Sequence, residues 1–385
     1  KQYLDFCKKF DELPKVEIED YKKNFQNKKI KIGFLSSDFK SHSVSFFLED
    51  IISKMNKNDF ELNALSNLDE NEHDNMTLKL KSSFDNWFEI KNLPDRELIK
   101  FFRSLKLDII IDLSGYTYNN RVNVLRSRCA PVQISWLGYC NTLGIKNMDF
   151  LIADRNLIKK DEENLYSEKI LYMPNIWNSL SMPKNLPDIK SKIDVKDKTI
   201  IFGCFNNFMK ISLKTIKVWS KILNECNCKL ILKNPVSLID DKAKEILVKK
   251  FKNEKVNINK IEFVERKKTM TDHLETYNRI DLAFDTFPYP GVTTSFQSIV
   301  MGVPVLTMKG YNFNSRCGES INKNLGLEEF IAEDEIDYFN KAIRIMNDKQ
   351  KLFDIKKNLR DMALKSNLFN TDQFVNDFSA LIKNL

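Results

Sequence analysis

The chain has 385 residues, of which 42% are hydrophobic and 30% are charged, a composition typical of globular rather than disordered proteins. That length suits two domains of ordinary size, and no apolar run is long enough to span a membrane. The formal net charge of +8 comes from lysines interleaved with acidic residues rather than from a basic stripe, so we expect no nucleic-acid partner. Seven scattered cysteines without a C-x-x-C pair favour free thiols in a reducing cytoplasm, and we predict a cytoplasmic protein with no membrane partner.

Strand and helix patterns alternate along most of the chain. Residues 1–28 are polar with a helical pattern, and we interpret them as a lead-in helix and linker. An alternating series over 29–180 is followed by a proline-containing linker within 173–198, and then by a second series that ends in helices, the last of them Thr371–Leu385. This order is typical of α/β folds with parallel sheets. We therefore predict two Rossmann-like doubly wound domains, 29–180 and 181–385, facing across a ligand-binding cleft.

The segment Ile280–Gly310 is the most informative part of the chain. Its pattern predicts a buried strand, a Pro/Gly loop, a helix opened by Thr293 and Thr294, and a second apolar strand. A helix N-terminus at the carboxyl end of a parallel strand suits a diphosphate. Taken alone, however, the segment favours an ordinary βαβ crossover with threonine as the helix cap by about two to one.

Two motifs of the first half follow predicted strands. His42 lies in the loop before the first helix, where it could hydrogen-bond a sugar or move a proton near neutral pH. The alternative is that Ser43 or Ser45 caps the helix and His42 is a surface residue. The glycines of Leu113–Thr117 and Trp136–Tyr139 permit close approach of the backbone to a bound group, although tight turns with aromatic packing explain them equally well.

The second half contributes a lysine and a histidine. Lys210 follows the first strand of this half, where its ammonium could neutralise a diphosphate leaving group; the alternative is a solvated loop lysine. His273 lies on the predicted helix Met270–Asn278 and is either a nucleotide contact or an exposed helix histidine. Because the sequence has neither a P-loop nor a paired D-x-D motif, we expect no ATP chemistry of the P-loop kind and no metal cofactor.

Four motifs, in this order, resemble the catalytic region of the O-GlcNAc transferase/SPINDLY family, glycosyltransferase family 41. They are S-S-D-F-x-x-H-S, the L-x-G-Y-T…A-P-V-Q…W-L-G-Y series, F-N-N-x-x-K-I, and D-T-F-P-Y-x-G-x-T-T…M-G-V-P-V-x-T. The similarity extends from about Lys29 to the C-terminal helices and is closer to bacterial and SPINDLY-like members than to the animal enzymes. It implies a GT-B enzyme that transfers a sugar, with inversion, from a nucleotide sugar to Ser or Thr hydroxyls of proteins.

The resemblance also implies roles for individual residues. It places His42 beside the sugar and acceptor, Lys210 on the donor diphosphate, and Asp74 on a proton path. Further donor contacts are implied for Leu137, Gly138, Asn207, His273, Thr293 and Thr294. Two positions depart from the family pattern. Gln297 stands where the family has an acidic ribose contact, and Val292 replaces a histidine of the animal enzymes.

The expected activity is transfer of N-acetylglucosamine from UDP-GlcNAc to Ser/Thr residues of an acceptor protein, without a cofactor or metal. The alternatives are a GDP-fucose-dependent O-fucosyltransferase of the SPINDLY type, or a catalytically silent module that binds nucleotide sugar or protein. The missing charge at Gln297 motivates the silent alternative. The resemblance also implies a tetratricopeptide-repeat region upstream in the full-length protein.

Overall fold

A computed structural model describes residues 29–181, 185–190, 199–234 and 240–385 of the chain. They form two units: unit 1 contains the described residues up to Ser181 together with Thr371–Leu385, and unit 2 contains the described residues between these segments. The predicted lead-in helix over 1–28 and part of the predicted linker within 173–198 lie outside the described residues.

Unit 1 contains a seven-stranded sheet in which every strand pair is parallel, as predicted. The strand order is β3-β2-β1-β4-β5-β6-β7, so that the first six strands follow the 3-2-1-4-5-6 order of the Rossmann fold. The strands are Ile30–Ser36 (β1), Phe60–Ser66 (β2), Asn86–Glu89 (β3), Ile109–Asp112 (β4), Val132–Ser135 (β5), Phe150–Asp154 (β6) and Lys169–Met173 (β7).

Helices cover both faces of this sheet, which explains why its central strands are apolar at nearly every position. One hydrophobic cluster includes Ile32 and Phe34, and the cluster on the other face includes Leu35 and Ile110. The helices between the strands are Ser43–Lys54 (α1), Asn75–Ser83 (α2), Asp95–Ser104 (α3) and Val122–Leu125 (α4).

Unit 2 repeats the Rossmann strand order in a six-stranded parallel sheet, β10-β9-β8-β11-β12-β13. The strands are Ile200–Cys204 (β8), Cys228–Lys233 (β9), Ile261–Val264 (β10), Leu282–Phe284 (β11), Val305–Met308 (β12) and Ile331–Ala332 (β13). The helices are Leu213–Glu225 (α5), Asp240–Asn253 (α6), Met270–Glu275 (α7), Thr293–Val300 (α8), Cys317–Asn324 (α9), Glu335–Asn347 (α10) and Lys349–Lys365 (α11).

The C-terminal helix, Thr371–Lys383 (α12), belongs to unit 1, so the prediction that 181–385 forms one half is wrong for this element. The ring of Phe378 lies 4.8 Å from that of Trp136, and Phe374 stacks on the same indole. Periodicity showed that α12 has an apolar face, but it could not show which sheet that face covers.

Several elements differ from the predicted ones because their sequences lack a clear pattern. The short edge strands β3 and β7 are only partly buried and carry polar residues, and helix α9 has a largely polar sequence. The predicted helix Met270–Asn278 is α-helical only to Glu275 and continues as a 3-10 helix over Thr276–Arg279. Gly302 follows α8 with φ +72°, a conformation that favours glycine at the end of a helix.

Candidate functional site

In each unit the strand order reverses at one place, and the loops that leave the sheet there emerge side by side. This switch point is the usual ligand site of open α/β sheets. In unit 2 it lies between β8 and β11, where Gly203 pairs with Ala283. The loops that begin at Phe205 and Asp285 therefore start next to each other.

Asp285 organises this edge of unit 2. Its Oδ1 accepts hydrogen bonds from the Gly291 amide at 2.6 Å and from the Asn206 Nδ2 and Thr286 amide at 3.0 Å each. Its Oδ2 accepts one from the Thr307 hydroxyl at 2.9 Å. Burial raises the pKa of this carboxyl, and the hydrogen bonds from Gly291, Thr307 and Asn206 oppose that shift. Asp285 thus holds three chain segments in one arrangement.

Asn206 connects this carboxylate to helix α8. Its Oδ1 accepts a short hydrogen bond from the Thr294 hydroxyl, while its Nδ2 donates to Asp285. A side chain at position 291 would place its Cβ 2.4 Å from the Thr294 Oγ1 and 2.6 Å from the Asn206 Oδ1, so that only glycine fits there. The loop between β11 and α8 is therefore packed tightly against the start of the helix.

The N-terminus of α8 differs from an ordinary threonine-capped helix. Val292 occupies the N-cap position and makes no side-chain cap hydrogen bond. Thr293 and Thr294 form the first turn, and the Thr294 hydroxyl bonds to Asn206 instead of capping the helix. The predicted threonine cap is therefore wrong, although the segment does form a parallel βαβ crossover from β11 through α8 to β12. Amides of a first turn without a side-chain cap, together with the helix dipole, suit an anion.

Lys210 lies at the edge of the same loop. It ends a short 3-10 helix, Phe208–Lys210, whose N-cap Asn207 accepts the Met209 amide at 2.9 Å. The Lys210 Nζ donates to the Pro290 carbonyl at 2.9 Å and lies 3.9 Å from the centre of the Tyr289 ring. This half-buried ammonium is thus held over the loop that leads into α8, rather than being a freely solvated lysine.

His273 is bonded through both ring nitrogens. Its Nδ1 lies 2.5 Å from the Lys233 Nζ, and its Nε2 lies 2.9 Å from the Gln297 Oε1. Burial and the neighbouring Lys233 ammonium lower the pKa of His273 to about 4, so that the ring is neutral near pH 7. The alternative of an exposed helix histidine is therefore wrong, and Gln297 contacts the predicted nucleotide residue directly.

Three residues of these networks were not among the predicted site residues: Asn206, Lys233 and Asp285. Each stands at or just beyond the end of a buried strand. Lys233 ends the strand K-L-I-L-K after three apolar residues, and Asp285 ends I-D-L-A-F-D, also after three apolar residues. A polar residue that ends an apolar strand was the available signal, since this is where α/β sheets place ligands.

In unit 1, His42 is the N-cap residue of α1. Its Nδ1 accepts the Val44 amide at 3.4 Å and lies 3.8 Å from the Asp38 Oδ2, and 45% of its side chain is exposed. Neither Ser43 nor Ser45 is the cap: the Ser45 hydroxyl donates to the Asp38 carbonyl at 2.7 Å. His42 is thus an exposed side chain, and it caps the helix itself in place of the predicted serine.

Asp74 caps helix α2 and ties it to the His42 loop. Its Oδ1 accepts the Met76 and Thr77 amides at 2.9 and 3.0 Å, and its Oδ2 accepts the Ser41 amide at 2.8 Å. Partial burial acts to raise the pKa of this carboxyl, but the hydrogen bonds from Ser41 and Thr77 outweigh it and lower the pKa overall. A carboxylate held in this way is a weak base.

Leu137 and Gly138 form a tight turn beside β4. Leu137 has φ +76°, and a Cβ at Gly138 would lie 2.0 Å from the Leu113 carbonyl oxygen. The buried Asp112 holds the facing turn by accepting the Ser114 and Gly115 amides at 3.3 and 2.8 Å. Close packing within unit 1 therefore explains why position 138 is a glycine. The donor contacts expected at Leu137 and Gly138 stay a prediction.

In unit 1 the Ser41 amide links the His42 loop to Asp74, and in unit 2 His273 contacts Gln297 while Lys210 contacts the loop before α8. In unit 2, Tyr277 links the histidine network to α8: its hydroxyl donates to the Thr294 carbonyl at 3.1 Å, and its ring lies 5.7 Å from that of His273.

Across the residues that the structure describes, no three His, Cys, Asp or Glu side chains are grouped for a metal, and no helix could span a membrane. The six cysteines of this part of the chain are free.

With its two parallel-sheet α/β units, the chain has the GT-B fold of glycosyltransferases. Sucrose-phosphate synthase from Thermosynechococcus elongatus shares it with a TM-score of 0.61 at 11% identity, covering 92% of this chain and 99% of that one. The family model for glycosyl transferase family 41 matches residues 7–193 and 181–378. The chain belongs to glycosyl transferase family 41, which confirms the family expected from the motifs.

Two relatives illustrate the membership. An O-GlcNAc transferase mutant from Thermobaculum terrenum is similar in structure with a TM-score of 0.91 at 27% identity, over 99% of this chain and 72% of that one. A tomato (Solanum lycopersicum) protein is 26% identical over 356 residues, 92% of this chain. It is named a probable UDP-N-acetylglucosamine–peptide N-acetylglucosaminyltransferase SPINDLY. The chain spans only 38% of the length of that relative.

Proposed function

We propose that this chain transfers N-acetylglucosamine from UDP-GlcNAc to serine or threonine hydroxyls of an acceptor protein, with inversion at the sugar. The observation that carries the proposal is the anion cradle of unit 2. It consists of the Lys210 ammonium and the first turn of α8, both held by the loop that Asp285 organises. The names of the relatives motivate the choice of donor and acceptor.

The cradle fits the charge changes of such a transfer. The acceptor hydroxyl oxygen bonds to the anomeric carbon while the bond from that carbon to the diphosphate oxygen breaks, and the bonding electrons leave with the diphosphate. Negative charge therefore grows on the leaving group, and the hydroxyl proton passes to solvent. A fixed ammonium and a helix N-terminus stabilise that charge more in the transition state than in the ground state. Because Lys210 and α8 supply positive potential, we propose that no divalent metal is needed.

The histidine network completes the proposed donor site. His273 is assigned to the nucleotide base, where its neutral ring offers a flat, weakly hydrated surface. Gln297 is assigned to the neighbouring ribose, toward which an amide can both donate and accept a hydrogen bond. Thr293, Thr294 and Asn207 are assigned to the diphosphate, and the Leu137–Gly138 backbone to the sugar.

His42 and Asp74 are assigned weaker roles. The exposed His42 ring orients the acceptor hydroxyl, and Asp74 fixes the loop that carries this ring through the Ser41 amide. With three backbone amides on its oxygens and a lowered pKa, Asp74 is poorly suited to take a proton. Water can carry the acceptor proton away instead.

A donor screen tests the proposal. The chain is incubated with radiolabelled UDP-GlcNAc or GDP-fucose and a library of Ser/Thr peptides, with and without a chelator, and nucleotide binding is followed by thermal shift. We expect peptide labelling from UDP-GlcNAc that is unchanged by the chelator. Labelling from GDP-fucose alone would make the chain an O-fucosyltransferase. A nucleotide-induced shift without labelling would indicate a silent binding module, and strong dependence on added magnesium or manganese would contradict the cradle.

A further inference from the structure

Lys233 is a buried cation in the interior of unit 2. It ends strand β9 next to β8, and only 1% of its surface is exposed. Its ammonium lies 2.5 Å from the His273 Nδ1 and 5.4 Å from the centre of the Phe205 ring. Removing an ammonium from water is unfavourable unless its protons are bonded, so this position needs an explanation beyond packing.

The bonding partners define the tautomer of His273. A lysine ammonium can only donate, so the His273 Nδ1 must be the acceptor and carries no hydrogen. The Gln297 Oε1 can only accept, so the His273 Nε2 must carry the hydrogen that it shares. With the side chains bonded in this way, the donor and acceptor roles from Lys233 through His273 to Gln297 fit only a neutral ring that carries its hydrogen on Nε2.

The surrounding charges act in the same sense. Lys233 on β9 and Arg266 in the loop before α7 both disfavour a positive charge on His273. Burial lowers the pKa of Lys233 to about 8, and the positive charge of Lys267, in that same loop, contributes to this shift. Tyr277 packs edge-on against the ring. Of these groups, Lys233 alone is hydrogen-bonded to the ring. The Gln297 amide on the other nitrogen carries both a donor and an acceptor and could serve either tautomer, whereas the Lys233 ammonium can only donate, so Lys233 selects the nitrogen that carries the proton.

We propose that Lys233 is a positioning residue for nucleotide recognition: its ammonium holds His273 as the neutral Nε2–H tautomer and keeps the ring directed at Gln297. This inference rests on the proposed function, in which His273 lies against the nucleotide base. A ring bonded at both nitrogens cannot flip or rotate freely, so less conformational entropy is lost when the nucleotide binds. Lys233 thereby contributes to affinity through His273 without touching the nucleotide.

The test compares Lys233→Met with Lys229→Met, which removes the same charge from an exposed position of the same strand. Histidine labelled with ¹⁵N reports the tautomer and pKa of each ring by NMR, and His273→Asn assigns the His273 signal. In the wild type we expect the Nε2–H tautomer and a pKa of about 4. In Lys233→Met we expect a higher His273 pKa, a mixture of tautomers and about tenfold weaker binding of uridine diphosphate. Lys229→Met should match the wild type.

Two results would overturn the inference: an Nδ1–H tautomer in the wild type, or a Lys233→Met protein with unchanged tautomer and pKa. The first needs no variant and so does not depend on whether Lys233→Met folds. Lys233→Arg, which keeps a charged donor, should restore the single tautomer. The NMR measurements are made without nucleotide, so they decide the positioning role independently. A wild-type chain that does not bind uridine diphosphate would instead refute the proposed function.

Discussion

The two units share a strand order, and each has a buried aspartate at the end of the strand beyond its switch point, Asp112 in unit 1 and Asp285 in unit 2, but they hold their other polar residues differently. At the carboxyl edge of the unit 2 sheet, Asp285 and Lys233 are buried and bonded within networks that join several loops. At the corresponding edge of unit 1, His42 and Asp74 are exposed or half-buried helix caps that bond mainly to nearby backbone amides. The same topology can therefore support a buried, rigidly bonded network in one unit and more exposed polar side chains in the other.

This difference predicts unequal sensitivity to substitution. A buried network loses several hydrogen bonds at once and leaves unsatisfied groups behind, whereas water can replace an exposed cap. Substitutions in unit 2 should therefore cost more, in activity or in stability, than substitutions of the unit 1 residues.

The largest effect is expected for Lys210→Ala. Loss of the ammonium removes stabilisation of the leaving diphosphate and should slow turnover by roughly two to three orders of magnitude, about 3–4 kcal/mol, with the fold intact. Initial rates of sugar transfer measure the effect, and circular dichroism checks the fold. Lys214→Ala is the control, because Lys214 is an exposed lysine of the same unit that pairs with Glu335. Wild-type turnover by a folded Lys210→Ala protein would remove Lys210 from the mechanism.

A smaller but still large effect is expected for Asp285→Asn. An asparagine offers only one acceptor oxygen, so the donors now shared between the two carboxylate oxygens cannot all remain bonded. We expect a loss of about 2–4 kcal/mol in the free energy of unfolding, together with weaker nucleotide binding. Urea denaturation provides the measurement, with the exposed Asp241→Asn as the control. Equal stability of the two variants would show that the network is not organised by this carboxylate.

A modest effect is expected for Asp74→Ala. Loss of the cap of α2 should cost about 1 kcal/mol at pH 7, whereas Asp74→Asn should keep most of that stability. The hydrogen bonds lower the pKa of Asp74 below the ordinary 3.8, so its contribution is present above that pH and is lost as the pH falls below it. The stability gap between wild type and Asp74→Ala should therefore narrow in acid. A gap that widened below pH 4 would contradict this assignment.

The smallest effect is expected for His42→Ala. The cap contact is long and the ring is exposed, so stability should change by less than about 1 kcal/mol. Turnover should fall by less than about tenfold if His42 only orients the acceptor. Values of kcat and KM for His42→Ala and for His42→Asn, which can keep the cap, separate the two roles. A loss as large as that of Lys210→Ala would make His42 the base and would invalidate the contrast between the units.

Local sequence patterns determined much of this protein. Apolar runs and turn residues predicted the central strands of both sheets, and the Thr293–Thr294 segment predicted the start of a helix. These features depend on neighbours within a few residues, because side-chain periodicity and backbone preferences act at that range. The motifs also predicted the family, which the comparisons confirmed.

Only the tertiary structure decided which residues are hydrogen-bonded or packed against one another across long stretches of the chain. Lys233 contacts His273 across forty positions of the chain, Asn206 contacts Asp285 across seventy-nine, and α12 returns to a sheet formed far earlier in the sequence. No local pattern encodes such pairs, because a buried polar group is satisfied by whichever group the fold brings within hydrogen-bonding distance. The sequence could therefore mark Lys210 and His273 as candidates, but only the packed strands and loops showed what holds them in place.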